Sequence, residues 1–139
     1  MVMARYEYLT KDRAAELLRQ GASLQQWLGA RESDGFRFLR WIEIDPTGDT
    51  WAVFEKDSLD SGRTGDRDLT SFHNTIDPDA PEGVRYSCDT IAAVFAKCTD
   101  LGCSLDRFVR FCEIQHVYDE FIAANGHADR GADQYFSKP

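Results

Sequence analysis

Residues 36–56 read FRFLRWIEIDPTGDTWAVFEK and decide the fold of this chain. Two runs rich in aromatic and β-branched residues flank an Asp-Pro-Thr-Gly segment at 45–48, where proline presets φ and glycine can adopt a positive φ. We therefore predict a β-hairpin whose first strand covers 36–44 and whose second strand covers 50–56.

The first strand of this hairpin is apolar on both of its faces. Phe38 and Ile42 share one face with Arg40, whereas Leu39 and Trp41 share the other. Such a strand either lies inside a layered fold or presents its second face to a ligand or partner, and aromatic residues are typical of both arrangements. The alternation alone leaves both alternatives open.

Two short helices are predicted before the hairpin. Thr10 has the side chain of a helix cap and precedes an apolar stripe that ends at Gly21. Ser23 and Gln26 have the spacing of a capping box, which predicts a second helix that ends at Gly29.

Strands and then helices are predicted in the rest of the chain. Alternating residues indicate a short edge strand over 4–9 and a third meander strand over 69–76. Further on, apolar residues with helical spacing predict one helix over 91–101, capped by Ser87 or Asp89, and a second, capped by Ser104, running to about residue 124. The short link between these helices favours an antiparallel helix hairpin.

These elements predict an α+β fold in the order β-α-α-β-β-β-α-α. A small, mainly antiparallel sheet packs against the N-terminal helices and the C-terminal antiparallel helix hairpin. One domain is expected over residues 1–125, with a polar tail over 126–139.

The chain is acidic, and its negative charge is concentrated in the middle of the sequence. The formal net charge is −8, and residues 32–85 carry thirteen Asp/Glu against six Lys/Arg. Such a surface repels phosphate backbones, so we predict no nucleic acid as partner and favour a basic protein or self-association as a homodimer. Acidity that only maintains solubility is the alternative.

Cysteine usage and hydropathy bear on localisation. No run approaches the about 18 apolar residues of a membrane span, and we predict no membrane association. Nothing at the start of the chain has the pattern of an export signal, so we expect a cytoplasmic protein whose four cysteines stay as thiols.

Three side chains are candidates for catalysis: His73, Cys103 and His116. Cys103 lies at the predicted start of a helix, where the helix dipole favours the thiolate. His73 lies on the predicted third strand, and His116 shares an apolar helix stripe with Cys112. For each of them, a packed or boundary position without chemistry is the alternative.

Metal and cofactor motifs are weak. The cysteine spacings lack the paired short intervals of a structural zinc site, and Glu113 with His116 supplies only one copy of a motif that carboxylate bundles need twice. The polar loop at 57–68 fits part of the calcium-loop template but has Leu59 at its third position, and the KH-like Gly-Arg-Thr-Gly pattern inside it lacks flanking helices. We predict no metal and no cofactor, and a solvated loop.

The motifs of nucleotide-binding loops, dinucleotide folds, zincins and esterases are missing from the sequence. The favoured hypothesis is a non-enzymatic protein-interaction or regulatory domain that binds through Trp41, Glu43, Asp49 and Trp51. The alternative is a small enzyme or ligand-binding domain with a pocket between sheet and helices, built from histidine, cysteine and carboxylate side chains.

Overall fold

The computed structural model describes residues 6–63, 68–72, 74–75 and 82–136. The strands in this part of the chain are β1 (Leu24–Ser33), β2 (Phe36–Thr47), β3 (Thr50–Leu59), β4 (Val84–Cys88) and β5 (Val109–Arg110). The helices are α1 (Lys11–Arg19), α2 (Ile91–Asp100), α3 (Ile114–Asn125) and α4 (Ala132–Phe136), with a 3-10 helix over Leu69–Ser71. The strands form one antiparallel sheet in the order β4-β3-β2-β1-β5, which confirms the α+β class. None of the helices in the described ranges has the length and apolar character needed to cross a membrane.

The predicted β-hairpin is confirmed as β2 and β3. The two strands pair as far as Thr47 and Thr50, so the turn is shorter than predicted, and Gly48 in it has a φ of +72°. β2 continues through Pro46 because β1 pairs with β2 only as far as Ile44, and the missing N–H of the proline therefore costs no hydrogen bond with β1.

The N-terminal region contains one predicted helix and not two. Helix α1 is confirmed, and the Thr10 side chain accepts a hydrogen bond from the backbone N–H of Arg13 at 3.1 Å. The second helix, predicted from Ser23 and Gln26, is wrong, because this segment is strand β1. Pairing with β2 along nearly all of β1 outweighs the local capping pattern, and Gly29, with a φ of +136°, lies at a bulge.

The C-terminal helix hairpin is also wrong. Helix α2 is confirmed, but its cap is Thr90, whose side chain accepts a hydrogen bond from Ala93 N–H at 3.0 Å. The helix predicted from Ser104 begins only at Ile114, because the intervening residues include β5, which pairs with β1. A strand therefore separates α2 from α3.

Two of the shorter predicted strands differ from the structure. Within the third strand predicted over 69–76, Leu69–Ser71 is a 3-10 helix and Asn74 makes only an isolated bridge to β3. Of the edge strand predicted over 4–9, Leu9 makes an isolated bridge to Phe108, and the first two residues lie outside the described part of the chain.

Helices cover both faces of the sheet. On one face, α1 and α2 pack against Ile42, Ile44 and Val53. On the other face, α3 packs against Leu39 and Trp41. β2 is therefore interior to three layers over these residues, which explains why both of its faces are apolar.

Residues 126–136, predicted to belong to a polar tail, pack against the sheet. The backbone N–H of Arg130 donates a hydrogen bond to the Gly35 carbonyl at 2.9 Å, and the Arg130 guanidinium lies 4.3 Å from the centre of the Phe36 ring. The Tyr135 ring meets the same phenylalanine edge-on at 5.2 Å. The boundary drawn at residue 125 therefore does not separate these residues from the sheet.

Candidate functional site

A buried group of charged and polar side chains lies between β2 and α3. Arg37 is only 3% exposed and Asp60 is fully buried, and the Arg37 Nη1 and Asp60 Oδ2 atoms are 3.6 Å apart. The buried Tyr118 hydroxyl donates a hydrogen bond to Asp60 Oδ1 at 2.7 Å. We call Glu32, Arg37, Asp60 and Tyr118 the Arg37 cluster.

Each member of the Arg37 cluster is positioned by a different element. Arg37 lies on β2, on the same face as Leu39 and Trp41, and this face is covered by α3. Asp60 directly follows β3, and its backbone N–H donates to the Arg37 carbonyl at 2.9 Å. Tyr118 lies in the middle of α3. Packing of α3 on the sheet thus brings the three buried side chains together.

The guanidinium of Arg37 has most of its donors engaged. Its Nε and Nη2 atoms donate to Glu32 Oε1 at 3.0 and 2.8 Å, and its Nη1 atom donates to the Gly126 carbonyl at 2.7 Å. The guanidinium carbon lies 5.0 Å from the centre of the Phe121 ring. Since arginine has five N–H donors, little of this cation is left to bind an added anion.

An open cleft of about 450 Å³ lies beside the Arg37 cluster, lined by Ala30, Glu32, Arg37, Phe121 and Asn125. Arg37 forms its buried floor. The Glu32 side chain stands at its mouth and is 61% exposed. This concavity lies between the sheet and a helix, where the sequence-based alternative placed a pocket.

The cleft presents acceptors rather than donors. The two hydrogen bonds that Arg37 donates to Glu32 both end on Oε1, so the second oxygen of this exposed carboxylate is available to solvent. The Asn125 amide donates its N–H to the Phe121 carbonyl at 2.9 Å, which leaves its side-chain oxygen as an acceptor. Glu32 is the only acidic side chain among the described lining residues, and it is also the most exposed charged group there. These features suit a cation.

Two of the predicted catalytic residues, Cys103 and His116, are not brought together. Cys103 lies in the loop after α2, where no helix begins, so the helix-dipole argument for its reactivity is wrong. It is buried in the cluster beneath α1 and α2, whereas His116 lies on α3 against the opposite face. His73 lies outside the described residues.

The predicted contact residues of the hairpin differ in exposure. Trp41 is 1% exposed, and its indole N–H donates to the Ser58 hydroxyl at 3.0 Å. Trp51 is half-buried and donates its indole N–H to the Leu18 carbonyl at the end of α1, at 3.2 Å. Asp49 is exposed at the turn. Both tryptophan rings therefore contact the protein's own core, and no common surface is formed.

Glu43 lies on the side of β2 that faces α3 and is half-buried. Its Oε1 accepts a hydrogen bond from the Gln25 amide at 2.8 Å, and its Oε2 lies 4.0 Å from Lys56 Nζ. Burial raises the pKa of the Glu43 carboxyl, and a hydrogen bond with Asp45 raises it further. The carboxylate is therefore less stable here than in the unfolded chain.

This raised pKa predicts the pH dependence of a Glu43→Gln variant. A carboxyl group whose folded pKa is raised stabilises the fold when protonated and loses that contribution as pH rises through the folded value. The free energy of unfolding of Glu43→Gln, relative to the unaltered protein, should therefore increase between pH 4 and pH 7. Urea unfolding at several pH values measures this difference, and a constant difference would contradict the prediction.

The described part of the chain was searched for metal-binding groups of side chains. Among its residues, no group of three or more His, Cys, Asp or Glu side chains is arranged to hold a metal ion. Part of the 57–68 loop lies outside the described ranges. Within the rest, Asp57 pairs with Arg31 at 3.0 Å and Asp60 belongs to the Arg37 cluster.

No family model, curated protein or solved structure matches this chain. The fold and the geometry of the cleft are therefore the features from which a function can be inferred. These define an α+β domain with an open cleft in which an exposed carboxylate lies above a buried arginine.

Proposed function

We propose that this protein is a non-enzymatic interaction domain that receives a cationic side chain of a basic protein partner in the cleft above Arg37. The observation that carries the proposal is the Glu32 carboxylate, which is exposed to solvent and held in place by two hydrogen bonds from a buried guanidinium. A carboxylate oriented in advance loses less side-chain entropy when a partner binds.

Charge favours a basic partner over an acidic one. The formal net charge of −8 and the excess of Asp and Glu over 32–85 attract cations over a long range and increase the association rate. The same surface disfavours nucleic acid. A cytoplasmic location and reduced thiols belong to this proposal, because the described cysteines are all free.

The walls of the cleft suit a long basic side chain. Ala30 and the Phe121 ring offer apolar contact to the methylene groups of lysine or arginine. At the end of such a side chain, Glu32 and Asn125 offer the oxygen acceptors that an ammonium or guanidinium group needs.

The test is a nuclear magnetic resonance titration with two capped tripeptides, Gly-Arg-Gly and Gly-Glu-Gly. We expect the arginine peptide to shift the amide signals of Glu32 and Phe121, and the glutamate peptide to leave them unchanged. Glu32→Gln should weaken arginine-peptide binding by about tenfold, because it removes one charge-assisted interaction.

Asp49→Asn provides a matched control. It changes the net charge by the same amount but lies at the exposed hairpin turn, so affinity should stay within about twofold of the original value, as expected for a distant exposed charge. If Asp49→Asn weakens binding as much as Glu32→Gln, the attraction is general and the cleft is not the binding site. Equal shifts with the glutamate peptide would also contradict the proposal.

The enzyme hypothesis is not favoured by the geometry of the cleft. Of the three candidates, Cys103 and His116 do not line it, His73 lies outside the described residues, and Glu32 is its only described carboxylate. A general acid or nucleophile needs a partner within hydrogen-bond reach of the reacting group, which these positions do not supply.

A further inference from the structure

We propose that Cys98 and Cys103 form a redox-active pair that closes to a disulfide across the C-terminal cap of α2 when the protein meets a peroxide. This inference is independent of the cleft, because both residues lie in the core on the opposite face of the sheet.

The backbone at the end of α2 places these two residues side by side. The Cys103 N–H donates to the Cys98 carbonyl at 2.9 Å, and the Gly102 N–H donates to the Thr99 carbonyl at 3.0 Å. Gly102 has a φ of +99°. This pair of bonds around a left-handed glycine is a Schellman cap, in which the side chains at the positions of Cys98 and Cys103 characteristically meet.

The separation set by this cap suits a disulfide. Each backbone atom of the 2.9 Å contact lies only one or two bonds from its own Cα atom, so the distance between the two Cα atoms cannot exceed about 6.8 Å, the upper end of the range that disulfides span. The two side chains belong to the same buried cluster.

The two thiols differ in their access to solvent. Cys103 is 9% exposed, whereas Cys98 is fully buried. The hydrogen bond to Cys103 raises the pKa of the Cys98 thiol, and burial raises it further. Cys103 is therefore the thiol that a small oxidant meets first, and Cys98 keeps its proton until the second step.

The chemistry is a two-step oxidation by hydrogen peroxide. The Cys103 thiolate attacks one peroxide oxygen, the O–O bond breaks, and Cys103 sulfenic acid forms with release of hydroxide, which takes up a proton to give water. The Cys98 sulfur then attacks the Cys103 sulfur, the S–O bond breaks, and the Cys98 proton leaves with the hydroxyl group as a second water. Two thiols and one peroxide thus give one disulfide and two waters.

Oxidation would crosslink the C-terminal end of α2, which a hydrogen bond already connects to the sheet. Arg40 Nη2 on β2 donates to the Leu101 carbonyl at 2.8 Å, which satisfies one of the last carbonyls of the helix. A disulfide in the same turn restricts the unfolded chain, so the oxidised protein should melt at a higher temperature than the reduced one.

The experiment treats the full chain with hydrogen peroxide, alkylates the remaining thiols and analyses it by mass spectrometry. We expect a loss of two hydrogen atoms, a non-reduced peptide that joins Cys98 to Cys103, and reversal by dithiothreitol. Cys103→Ser should abolish the crosslink and the rise in melting temperature. Cys88→Ser, in the same buried cluster, and Cys112→Ser, at an exposed position, should leave both unchanged.

Several results would overturn the proposal. One is a crosslink that contains Cys88 or Cys112 in place of either partner. Another is full alkylation of Cys98 and Cys103 under conditions that have already oxidised the exposed Cys112. Because Cys98→Ser alters a fully buried position, the Cys103→Ser variant, at a position that is 9% exposed, carries the test, and its unaltered melting temperature in the reduced state shows that it is folded.

Discussion

Replacing Arg37 with methionine is expected to lower the free energy of unfolding by about 3–5 kcal/mol. The substitution keeps most of the apolar volume of the side chain but removes the charge next to the buried Asp60. It also deprives the Gly126 carbonyl of its 2.7 Å donor. A buried carboxylate without its cation is more costly than the original pair, and this accounts for most of the loss.

Arg40→Met is the matched control for this prediction. Arg40 lies on the same strand and also forms an ion pair, with Glu55 at 3.0 Å, but its side chain is 46% exposed. Solvent screens exposed pairs, so the expected loss is only about 1 kcal/mol or less. Urea unfolding of both variants at pH 7 gives the comparison, and equal losses would show that burial of Arg37 does not govern its contribution.

A double-mutant cycle tests whether Asp60 is the partner concerned. If the cost of Arg37→Met arises from a stranded Asp60 carboxylate, adding Asp60→Asn should recover part of it, and the two changes should not be additive. The single Asp60→Asn variant keeps a side-chain oxygen that can accept the hydrogen bond from the Tyr118 hydroxyl. Additive losses would mean that Arg37 acts mainly through Glu32 and Gly126.

The Arg37 cluster links stability to the proposed binding function. The guanidinium that neutralises Asp60 in the interior also orients Glu32 at the mouth of the cleft. Arg37→Met should therefore weaken binding of the arginine peptide as well, even under conditions where the variant is folded. Glu32→Gln, by contrast, should weaken binding with little effect on stability, because the Glu32 side chain is mostly exposed.

The sequence correctly predicted those parts of the fold whose structure depends on residues that are close together in the sequence. The hairpin has its own turn residues, and α1 and α2 have an apolar stripe with a polar cap, which is Thr10 in α1 and, in place of the predicted Ser87 or Asp89, Thr90 in α2. β1 could not be predicted in this way, because its capping-box pattern is outweighed by pairing with β2. β4 has the alternation of a half-buried strand, with the exposed Arg85 and Ser87 between apolar residues, and this signal was missed, whereas β5 is too short to have one.

The candidate site depends on contacts between distant parts of the chain. The alternation of β2 placed Arg37 among apolar residues, and an arginine in such a row is a signal that it is buried with a partner. Nothing local identifies the buried partners Asp60 and Tyr118, because Asp60 lies beyond the end of β3 and Tyr118 lies on α3. Sequence reasoning therefore favoured the tryptophans of the hairpin, whose type is common both in interfaces and in cores.

Trp41→Ala is expected to lower the free energy of unfolding by about 3–5 kcal/mol. A loss of this size would distinguish a core position from the partner contact that the sequence suggested. The ring is 1% exposed, packs beneath α3 and has Lys56 Nζ 4.5 Å from its centre. Removing it leaves a cavity and strands the buried Ser58 hydroxyl. Chemical unfolding measures the loss.

A conservative substitution separates the two contributions of this ring. Trp41→Phe fills most of the volume but cannot donate a hydrogen bond to Ser58, so it should lower the free energy of unfolding by about 1–3 kcal/mol. Adding Ser58→Ala should recover part of that loss. A residue that acts only as a partner contact would show neither effect, because its replacement would leave the unfolding midpoint unchanged. The cycle therefore decides whether the second face of the hairpin serves the fold or a partner, and burial beneath α3 predicts that it serves the fold.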